Sequence, residues 1–409
     1  MKIYKKVLYL LSIFVFTLNA SEFSELEQTF KTFMQENSIP GASLAIIKDS
    51  RLVYAKGFGW ADRQLKKPVE VNSLFRIASL SKSITAVAIL QLVEQENISL
   101  NDKVVSLLKV KPYNNRGFID PRWQEITVKH LLQHEGGWSR DNDIMGNIKR
   151  VTQALDKSTQ AASRDFIRYM MGQRLEFTPG TQYSYSNFGY NILGRIIEDV
   201  TNMSYEHYVQ ANILYPLGIY TMKLGKRDKQ YRAKEEVTYY DPYNKMGSPV
   251  FGINKNRKVP VAYVNTIDVQ DSHGGWIASA SDMARFLSCF DKAKGCAIIQ
   301  TKTLEYMFKR QEGLACYKNS QAKNPYYAHG WMVWPKRMGK NIYYFGALAG
   351  TSTSMVRRSD GIGWVVLFNM RHNKDYKQLA SLIDGKLHKV MNKIQAWPQY
   401  DLFKSLGYK

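Results

Sequence analysis

The sequence predicts an α/β (α+β) fold in which helices flank an antiparallel β-sheet and an all-helical subdomain is inserted into the chain. Short β-prone segments lie near the amino end and again after Gly274, whereas residues 99–261 have mainly helical periodicity and long loops. Between these regions, Ser79 to Asn97 reads as a helix with almost no polar face, so we expect it to be buried. Helices packed on a sheet bury both kinds of apolar surface.

The first twenty residues have the pattern of a signal peptide. Three lysines within the first six residues precede an apolar run from Val7 to Phe16, and Ala20 offers a small residue for cleavage. The run is shorter than the roughly 20 apolar residues that a membrane-spanning helix needs. We therefore expect an exported protein, periplasmic or secreted, with no transmembrane segment in its mature form.

The remaining elements follow from the spacing of apolar residues. A helix is predicted from Glu22 to Asn37, and Asp49-Ser50 predicts a hairpin turn between two strands, 43–48 and 52–57. Further helices are predicted over 128–133, 163–172, 188–200, 205–214, 282–290 and 377–394, and further strands over 330–334, 342–345, 353–357 and 363–369.

These elements suggest where the parts of the chain begin and end. Because the β-prone segments stand on both sides of the helical middle, one sheet domain has to be built from two separate stretches. We divide the chain into a signal peptide (1–20), a first part of the sheet domain (21–98), a helical insertion (99–261), a second part of the sheet domain (262–396) and a tail (397–409).

The composition restricts the partners. The chain has 57 Lys and Arg against 35 Asp and Glu, a formal net charge of +22. No helix-turn-helix, zinc-finger or RNA-recognition pattern accompanies this charge, so we expect no nucleic acid partner. Two interpretations remain open: a basic surface that keeps the protein soluble, or loose association with anionic envelope polymers.

Cysteine and histidine residues predict no metal site and no cofactor. Of the three cysteines, Cys289 and Cys296 can pair in an exported chain, which would leave Cys316 free. His130 and His134 have the i, i+4 spacing of two ligands on one helical face, but no third ligand completes a known zinc pattern. We interpret both histidines as structural.

The segment Ser79-Leu80-Ser81-Lys82 carries the first catalytic prediction. A serine at a helix start lies near unpaired N–H groups, and a lysine three residues later lies on the same face. Burial lowers the pKa of a lysine, which allows it to accept the proton of the serine. The same spacing occurs at Ser106-Lys109 and Ser320-Lys323, but only Ser79 opens a buried helix.

Tyr185-Ser186-Asn187 carries the second prediction. It follows Pro179-Gly180 and precedes a helix, so Asn187 has the place of an N-cap. We expect Tyr185 to act as a base, with its pKa depressed by a neighbouring lysine ammonium. The same Y-x-N spacing also occurs at 113–115 and 317–319, so it is weak by itself.

Together these segments resemble the serine β-lactamase and penicillin-binding protein superfamily, in the branch of class C β-lactamases, D-alanyl-D-alanine carboxypeptidases and esterases. The resemblance runs from about residue 25 to 395, with the motifs in family order. It rests on Phe75 to Lys82, Ile126 to His134, Pro179 to Gly194 and Gly274 to Ser279.

The resemblance implies that Ser79 attacks an acyl carbonyl and that Lys82 and Tyr185 move its proton. Water then releases the acid from the acyl-enzyme. The oxyanion hole would use the backbone N–H groups of Ser79 and Ala347. Asn187, Tyr344, Gly346 and Ala347 are the predicted substrate and oxyanion residues.

The chain departs from the family at the third motif. Where the family has a Lys-Thr-Gly or His-x-Gly triplet, this sequence has Tyr344-Phe345-Gly346. Tyr344 supplies no positive charge for a substrate carboxylate. Arg357, Arg358 and His273 are the candidates to replace that cation. We therefore predict a serine hydrolase that acts on a small-molecule or peptide ester or amide. D-Ala-D-Ala carboxypeptidase or β-lactamase activity is the alternative, and a non-catalytic penicillin-binding-protein-like binding protein is the alternative from another class.

Overall fold

The two ends of the sequence meet in one antiparallel sheet. The computed structural model describes residues 23–113, 117–264, 267–291, 295–310 and 324–408, so the predicted signal peptide and Cys316 lie outside the described residues. The strands of this sheet are β1 (Gly41–Lys48), β2 (Arg51–Asp62), β3 (Lys67–Pro68), β9 (Tyr326–Ala328), β10 (Trp331–Pro335), β11 (Lys340–Leu348), β12 (Thr351–Arg357) and β13 (Ile362–Phe368). They lie in the order β3-β2-β1-β13-β12-β11-β10-β9.

Both faces of the sheet are buried. Along β1, Ala45 and Ile47 contact one hydrophobic cluster, whereas Leu44 and Ile46 contact another on the opposite face. This alternation follows from the two-residue period of a strand. The first cluster also contains the helical middle of the chain, and the second lies under an amino-terminal and a carboxy-terminal helix. The predicted sheet with flanking helices is confirmed.

The eight predicted helices are present, with ends that differ by a few residues, and within the described residues the structure adds five short helices that were not predicted: 104–107, 148–154, 271–274, 301–307 and 402–405. The α-helices are α1 (Ser24–Glu36), α2 (Ser81–Glu94), α3 (Val104–Leu107), α4 (Val128–Leu132), α5 (Ile148–Ala154), α6 (Ser163–Met170), α7 (Asn187–Thr201), α8 (Tyr205–Val209), α9 (Asp271–Gly274), α10 (Ala280–Ser288), α11 (Thr301–Met307), α12 (Leu379–Met391) and α13 (Leu402–Ser405).

The predicted hairpin and the predicted buried helix are both present. Asp49 and Ser50 have positive φ angles, as a two-residue hairpin turn requires. All residues of α2 from Ser81 to Leu92 are buried. The prediction placed Ser79 in this helix, but Ser79 lies in a 3-10 turn (Ala78–Leu80) that precedes it.

The insertion is not purely helical, which corrects the prediction. In a small sheet, β5 (Lys223–Leu224) and β4 (Phe75–Arg76) flank β8 (Trp276–Ala278). A further pair consists of β6 (Met246–Gly247) and β7 (Val259–Pro260). Strands of two residues leave no periodic pattern in a sequence, which is why they were missed.

Two further features concern export. Cys289 and Cys296 form a disulfide, the pairing that the sequence left open. Among the described residues, no helix has the length and apolar character needed to cross a membrane. The domain boundaries stay a prediction.

Candidate active site

Ser79 lies where α2, β11 and the 3-10 turn meet. The preceding residue, Ala78, has a φ of +50°, a left-handed conformation that costs energy for a residue with a Cβ. On the facing strand, a Cβ at Gly346 would lie 2.7 Å from the carbonyl oxygen of Ile77 and 3.1 Å from the Cβ of Ala78. Glycine at position 346 therefore lets β11 approach the strained turn that presents Ser79.

Lys82 is fully buried, and its contacts determine the direction of the lone pair on its neutral amine. The Nζ atom lies 2.7 Å from Asn187 Oδ1, 2.7 Å from the carbonyl oxygen of His273 and 3.4 Å from Ser79 Oγ. Burial lowers the pKa of Lys82 to about 7. A neutral amine has two N–H groups, which the two oxygens accept, so its lone pair is left to face Ser79.

Tyr185 contacts the same serine from the other side. Its hydroxyl oxygen lies 2.8 Å from Ser79 Oγ, and its ring packs 4.6 Å from the ring of His134. The expectation of a depressed pKa is wrong: burial raises the pKa of Tyr185 to about 12. The neighbouring Lys82 does not compensate, because burial favours its neutral form as well.

Asn187 is held in one orientation by Asp143. The Asn187 Nδ2 group donates to Asp143 Oδ2 at 2.5 Å, so Asn187 Oδ1 has to face Lys82. The predicted N-cap role is wrong by one residue. Ser186 caps α7 by accepting the backbone N–H of Gly189, and Asn187 is the first helical residue. Its side chain is therefore available to hold the lysine.

A chain of phenol hydroxyls leads away from Tyr185. Tyr344 lies beside Tyr185 in the cleft, Tyr327 lies 3.3 Å from Tyr344, and Tyr190 lies 3.0 Å from Tyr327. Tyr190 donates to the carbonyl oxygen of Leu132 at 3.1 Å. Each phenol has one proton and a carbonyl only accepts, so the phenol chain of Tyr344, Tyr327 and Tyr190 donates in sequence toward Leu132. The hydroxyl of Tyr185 has a different acceptor, Asn187 Oδ1 at 3.3 Å.

These residues line a cleft of about 720 Å³. Ser79, Tyr185, Asn187, Tyr344 and Ala347 all line it, whereas Gly346 packs against the turn below. The sequence prediction therefore named side chains that the fold brings together. The oxyanion role of the Ser79 and Ala347 N–H groups stays a prediction.

The three residues suggested as replacement cations do not supply a charge to the cleft. Arg357 forms an ion pair with Asp291, and Arg358 forms one with Asp360. His273 lines the cleft, but burial and the proximity of Lys82 hold its pKa well below the usual value, so it is neutral.

Two arginines that the sequence did not single out line the cleft instead. The guanidinium of Arg140 lies 5.4 Å from the ring centroid of Tyr185, and Arg371 lines the same cleft. Within the described residues, Arg371 forms no ion pair. Both are available to an anionic group on a ligand.

His130 and His134 have structural contacts. His130 Nδ1 accepts the backbone N–H of Thr127 in a capping box, and His134 Nδ1 accepts the backbone N–H of Ser186. Among the residues that the structure describes, no group of three or more His, Cys, Asp or Glu side chains is arranged to hold a metal ion.

A sequence profile for the family Beta-lactamase matches residues 26–387. The chain belongs to the Beta-lactamase family. This confirms the resemblance that the four motifs predicted, over nearly the same part of the chain.

Two characterised sequences illustrate the relationship. Penicillin-binding protein 4* of Bacillus subtilis (strain 168) is 27% identical over 358 residues, which cover 86% of this chain and 73% of that protein. Protein flp of Staphylococcus aureus (strain COL) is 30% identical over 208 residues. That alignment covers 51% of this chain but only 39% of Protein flp, so the chain spans well under half of that protein.

Solved structures share the Beta-lactamase fold. The octameric penicillin-binding protein homologue from Pyrococcus abyssi superposes with a TM-score of 0.66 at 26% identity, over 88% of this chain and 76% of that one. EstCE1, described as a hydrolase with promiscuous acyltransferase activity, superposes with a TM-score of 0.68 at 16% identity, over 92% of this chain and 99% of EstCE1. The D-amino acid amidase from Ochrobactrum anthropi SV3 has a TM-score of 0.68 at 17% identity, over 90% of this chain and 99% of the amidase. The last two likenesses concern the fold alone.

Sequence reasoning missed Asp143, the two cleft arginines and the buried partners of Tyr344. Asp143 follows Asp141 and Asn142 in a polar loop, where no spacing distinguishes it. Tyr190 and Tyr327 read as core aromatics, which they also are. Only their contacts across the fold separate them from other tyrosines.

Proposed function

We propose that this Beta-lactamase family member is a serine hydrolase that cleaves esters or amides through an acyl-enzyme on Ser79. The observation that carries this proposal is the position of Lys82, whose lone pair faces Ser79 Oγ at 3.4 Å and whose pKa is lowered to about 7 by burial. A buried neutral lysine is a competent base at neutral pH. The esterase and amidase with the same fold support the choice of reaction.

The steps follow from the two neighbours of Ser79. Ser79 Oγ attacks the acyl carbonyl carbon while Lys82 Nζ takes the hydroxyl proton. The tetrahedral intermediate collapses, the bond to the leaving group breaks, and the leaving group takes a proton from Tyr185, which Lys82 then restores. Water then attacks the carbonyl carbon of the acyl-enzyme and gives a proton to Lys82. The bond to Ser79 Oγ breaks, Lys82 passes the proton to Ser79 Oγ, and the acid is released.

D-Ala-D-Ala carboxypeptidase or β-lactamase activity is the second candidate. Arg140 and Arg371 line the cleft and favour a substrate with a carboxylate, even though Tyr344 replaces the cation of the family triplet. The penicillin-binding relatives support the same candidate. A non-catalytic binding protein is disfavoured, because Ser79, Lys82, Tyr185 and Asn187 form one connected hydrogen-bond network.

Export stays part of this proposal. A disulfide between Cys289 and Cys296 supports an oxidising compartment, because thiols in the cytosol are kept reduced. The net charge of +22 supports loose association with anionic envelope polymers.

Hydrolysis of 4-nitrophenyl acetate tests the proposal. We expect turnover by the purified protein and a loss of at least about a thousandfold in kcat/KM for Ser79→Ala, since the nucleophile is removed. Ser106→Ala is the matched control, because Ser106 and Lys109 have the same spacing but are both exposed at the surface, at and just after the short helix α3.

Benzylpenicillin separates the two candidates in the same experiment. A stable penicilloyl adduct on Ser79 by mass spectrometry, or loss of penicillin that needs Ser79, favours the second candidate. The absence of turnover with both substrates, together with no adduct, favours the binding protein.

A further inference from the structure

A smaller cavity opens off the cleft that holds Ser79. It has a volume of about 140 Å³ and shares Met145, Gly146 and Gln270 with the cleft. Because the two cavities have these walls in common, we treat them as continuous and call the smaller one the side pocket. Most of its lining is apolar: Met145, Ile148, Val250, Phe251, Val264 and Val269.

The first shared wall is tied to one of the two residues that hold Lys82. Asp143 Oδ1 accepts the backbone N–H of Met145 at 3.1 Å, and Asp143 Oδ2 accepts from the side chain of Asn187. Asn187 Oδ1 in turn accepts from Lys82. A single carboxylate therefore sets the position of Met145 relative to the catalytic lysine.

The second shared wall is tied to the other residue that holds Lys82. The carbonyl oxygen of Gln270 accepts the backbone N–H groups of His273 and Gly274 at 2.9 and 2.8 Å. The carbonyl oxygen of His273 accepts from Lys82 at 2.7 Å. Met145 and Gln270, which line both the side pocket and the cleft, are thus each linked by hydrogen bonds to one of the two supports of Lys82.

The size and lining of the side pocket define its ligand. An apolar cavity of about 150 Å³ holds one benzene molecule. A pocket of nearly that size accepts a phenyl ring or a short branched alkyl group, and it has too little room for a fused ring system. Removal of such a group from water is favourable, at about a fourfold gain in binding per buried methylene.

We propose that the side pocket binds an apolar group of the substrate, of about the size of a phenyl ring, and so sets the specificity of the enzyme. This inference rests on the proposed hydrolase function and names its substrate class: esters or amides with a phenyl or short branched alkyl group next to the scissile bond. That group belongs either to the acyl part or to the leaving group, and both present the same apolar chemistry.

Two pairs of esters test the inference. The acyl pair is 4-nitrophenyl acetate and 4-nitrophenyl phenylacetate, and the leaving-group pair is methyl acetate and benzyl acetate. We expect the larger ester of one pair to have a kcat/KM at least about tenfold higher. The pair that shows this preference identifies the part of the substrate that enters the side pocket.

Variants that fill the side pocket supply the control. Val264→Trp and Ile148→Trp come from different segments of its lining and should abolish the preference by lowering kcat/KM with the larger ester. A melting temperature close to that of the wild type then shows that each variant is folded. Ile253→Trp is the matched control, because Ile253 is 53% exposed and does not line the side pocket, so its preference should equal that of the wild type.

Equal rates within both ester pairs, or a preference that survives both tryptophan variants, would show that the inference is wrong. If no ester is cleaved, the proposed function fails and the side pocket is tested by itself. Binding of phenylacetate to the Ser79→Ala protein is then followed by ligand-observed NMR. Weaker binding to the Val264→Trp protein supports the inference, and unchanged or undetectable binding contradicts it.

Discussion

At the scale of single residues, Lys82 and Tyr185 compete for the proton of Ser79, and burial decides between them. Desolvation penalises the charged form of each group, so it lowers the pKa of the lysine and raises the pKa of the phenol. With pKa values of about 7 and about 12, the neutral lysine is the available base at physiological pH. Tyr185 remains a phenol that donates a proton.

The pH dependence of the reaction is the prediction at this scale. Lys82 has to lose its proton before it accepts one, so kcat/KM should rise about tenfold per pH unit below 7 and level off above it. A pH–rate profile with a short aryl ester measures this. A rate that continues to rise between pH 8 and 10 would instead assign the base to a group of higher pKa, such as Tyr185.

At the scale of elements, β11 contributes both a close approach and a phenol. Gly346 lets the strand pack on the turn of Ser79, and Tyr344, two residues earlier, lines the cleft beside Tyr185. The family triplet supplies a cation at that place. Here Tyr344 instead begins a series of hydrogen bonds that runs through Tyr327 and Tyr190 to the carbonyl oxygen of Leu132.

Tyr344→Phe tests the phenol chain. The variant removes the hydroxyl that bonds Tyr327 and lies beside Tyr185, and it leaves the ring in place, so we expect kcat/KM to fall about two- to tenfold with little change in melting temperature. Tyr343→Phe is the matched control, since Tyr343 packs against the other face of the sheet. Equal effects of the two substitutions would exclude a specific role for Tyr344.

At the scale of the whole molecule, two apolar clusters cover the two faces of one sheet, and the cleft lies on the side of the helical insertion. Burial on this scale also encloses titratable groups. It lowers the pKa of five histidines: His130, His134, His273, His329 and His388. The folded protein therefore favours their neutral forms.

Stability against acid is the prediction at this scale. Histidines titrate near pH 6.5 when unfolded and at lower pH when folded, for example about 4 for His329, so the unfolded state binds more protons between those values. Their contribution to stability is present above pH 6.5 and is lost as the pH falls. Three carboxyl groups with raised pKa values, Glu135 at about 7, Asp384 at about 6 and the buried Glu236, oppose this trend.

Because five histidines outweigh three carboxyl groups, we expect the melting temperature to fall by several degrees between pH 7.5 and pH 5. Thermal unfolding in a series of buffers measures it. His388→Gln should show a smaller decrease, because it removes one of the five histidines far from the cleft. A melting temperature that stays constant or rises on acidification would contradict the prediction.

The sequence by itself determined the features that depend only on residues close together in the chain. Ser79 and Lys82 are three residues apart at the start of a helix whose apolar composition requires burial, and strand periodicity marked both halves of the sheet. These are local properties, because the periods of a helix and a strand are written directly in the order of residues. The motifs also predicted the family.

Only the tertiary structure decided the contacts between distant segments. Tyr185 is 106 residues from Ser79 in the chain, and the orientation of Asn187 depends on Asp143, 44 residues earlier. The direction of the pKa shift of Tyr185 was predicted wrongly. The motifs placed a lysine near this tyrosine, but they could not show that the fold removes both groups from water. Packing removes water from the site, and how deeply each titratable group is buried depends on the whole tertiary structure.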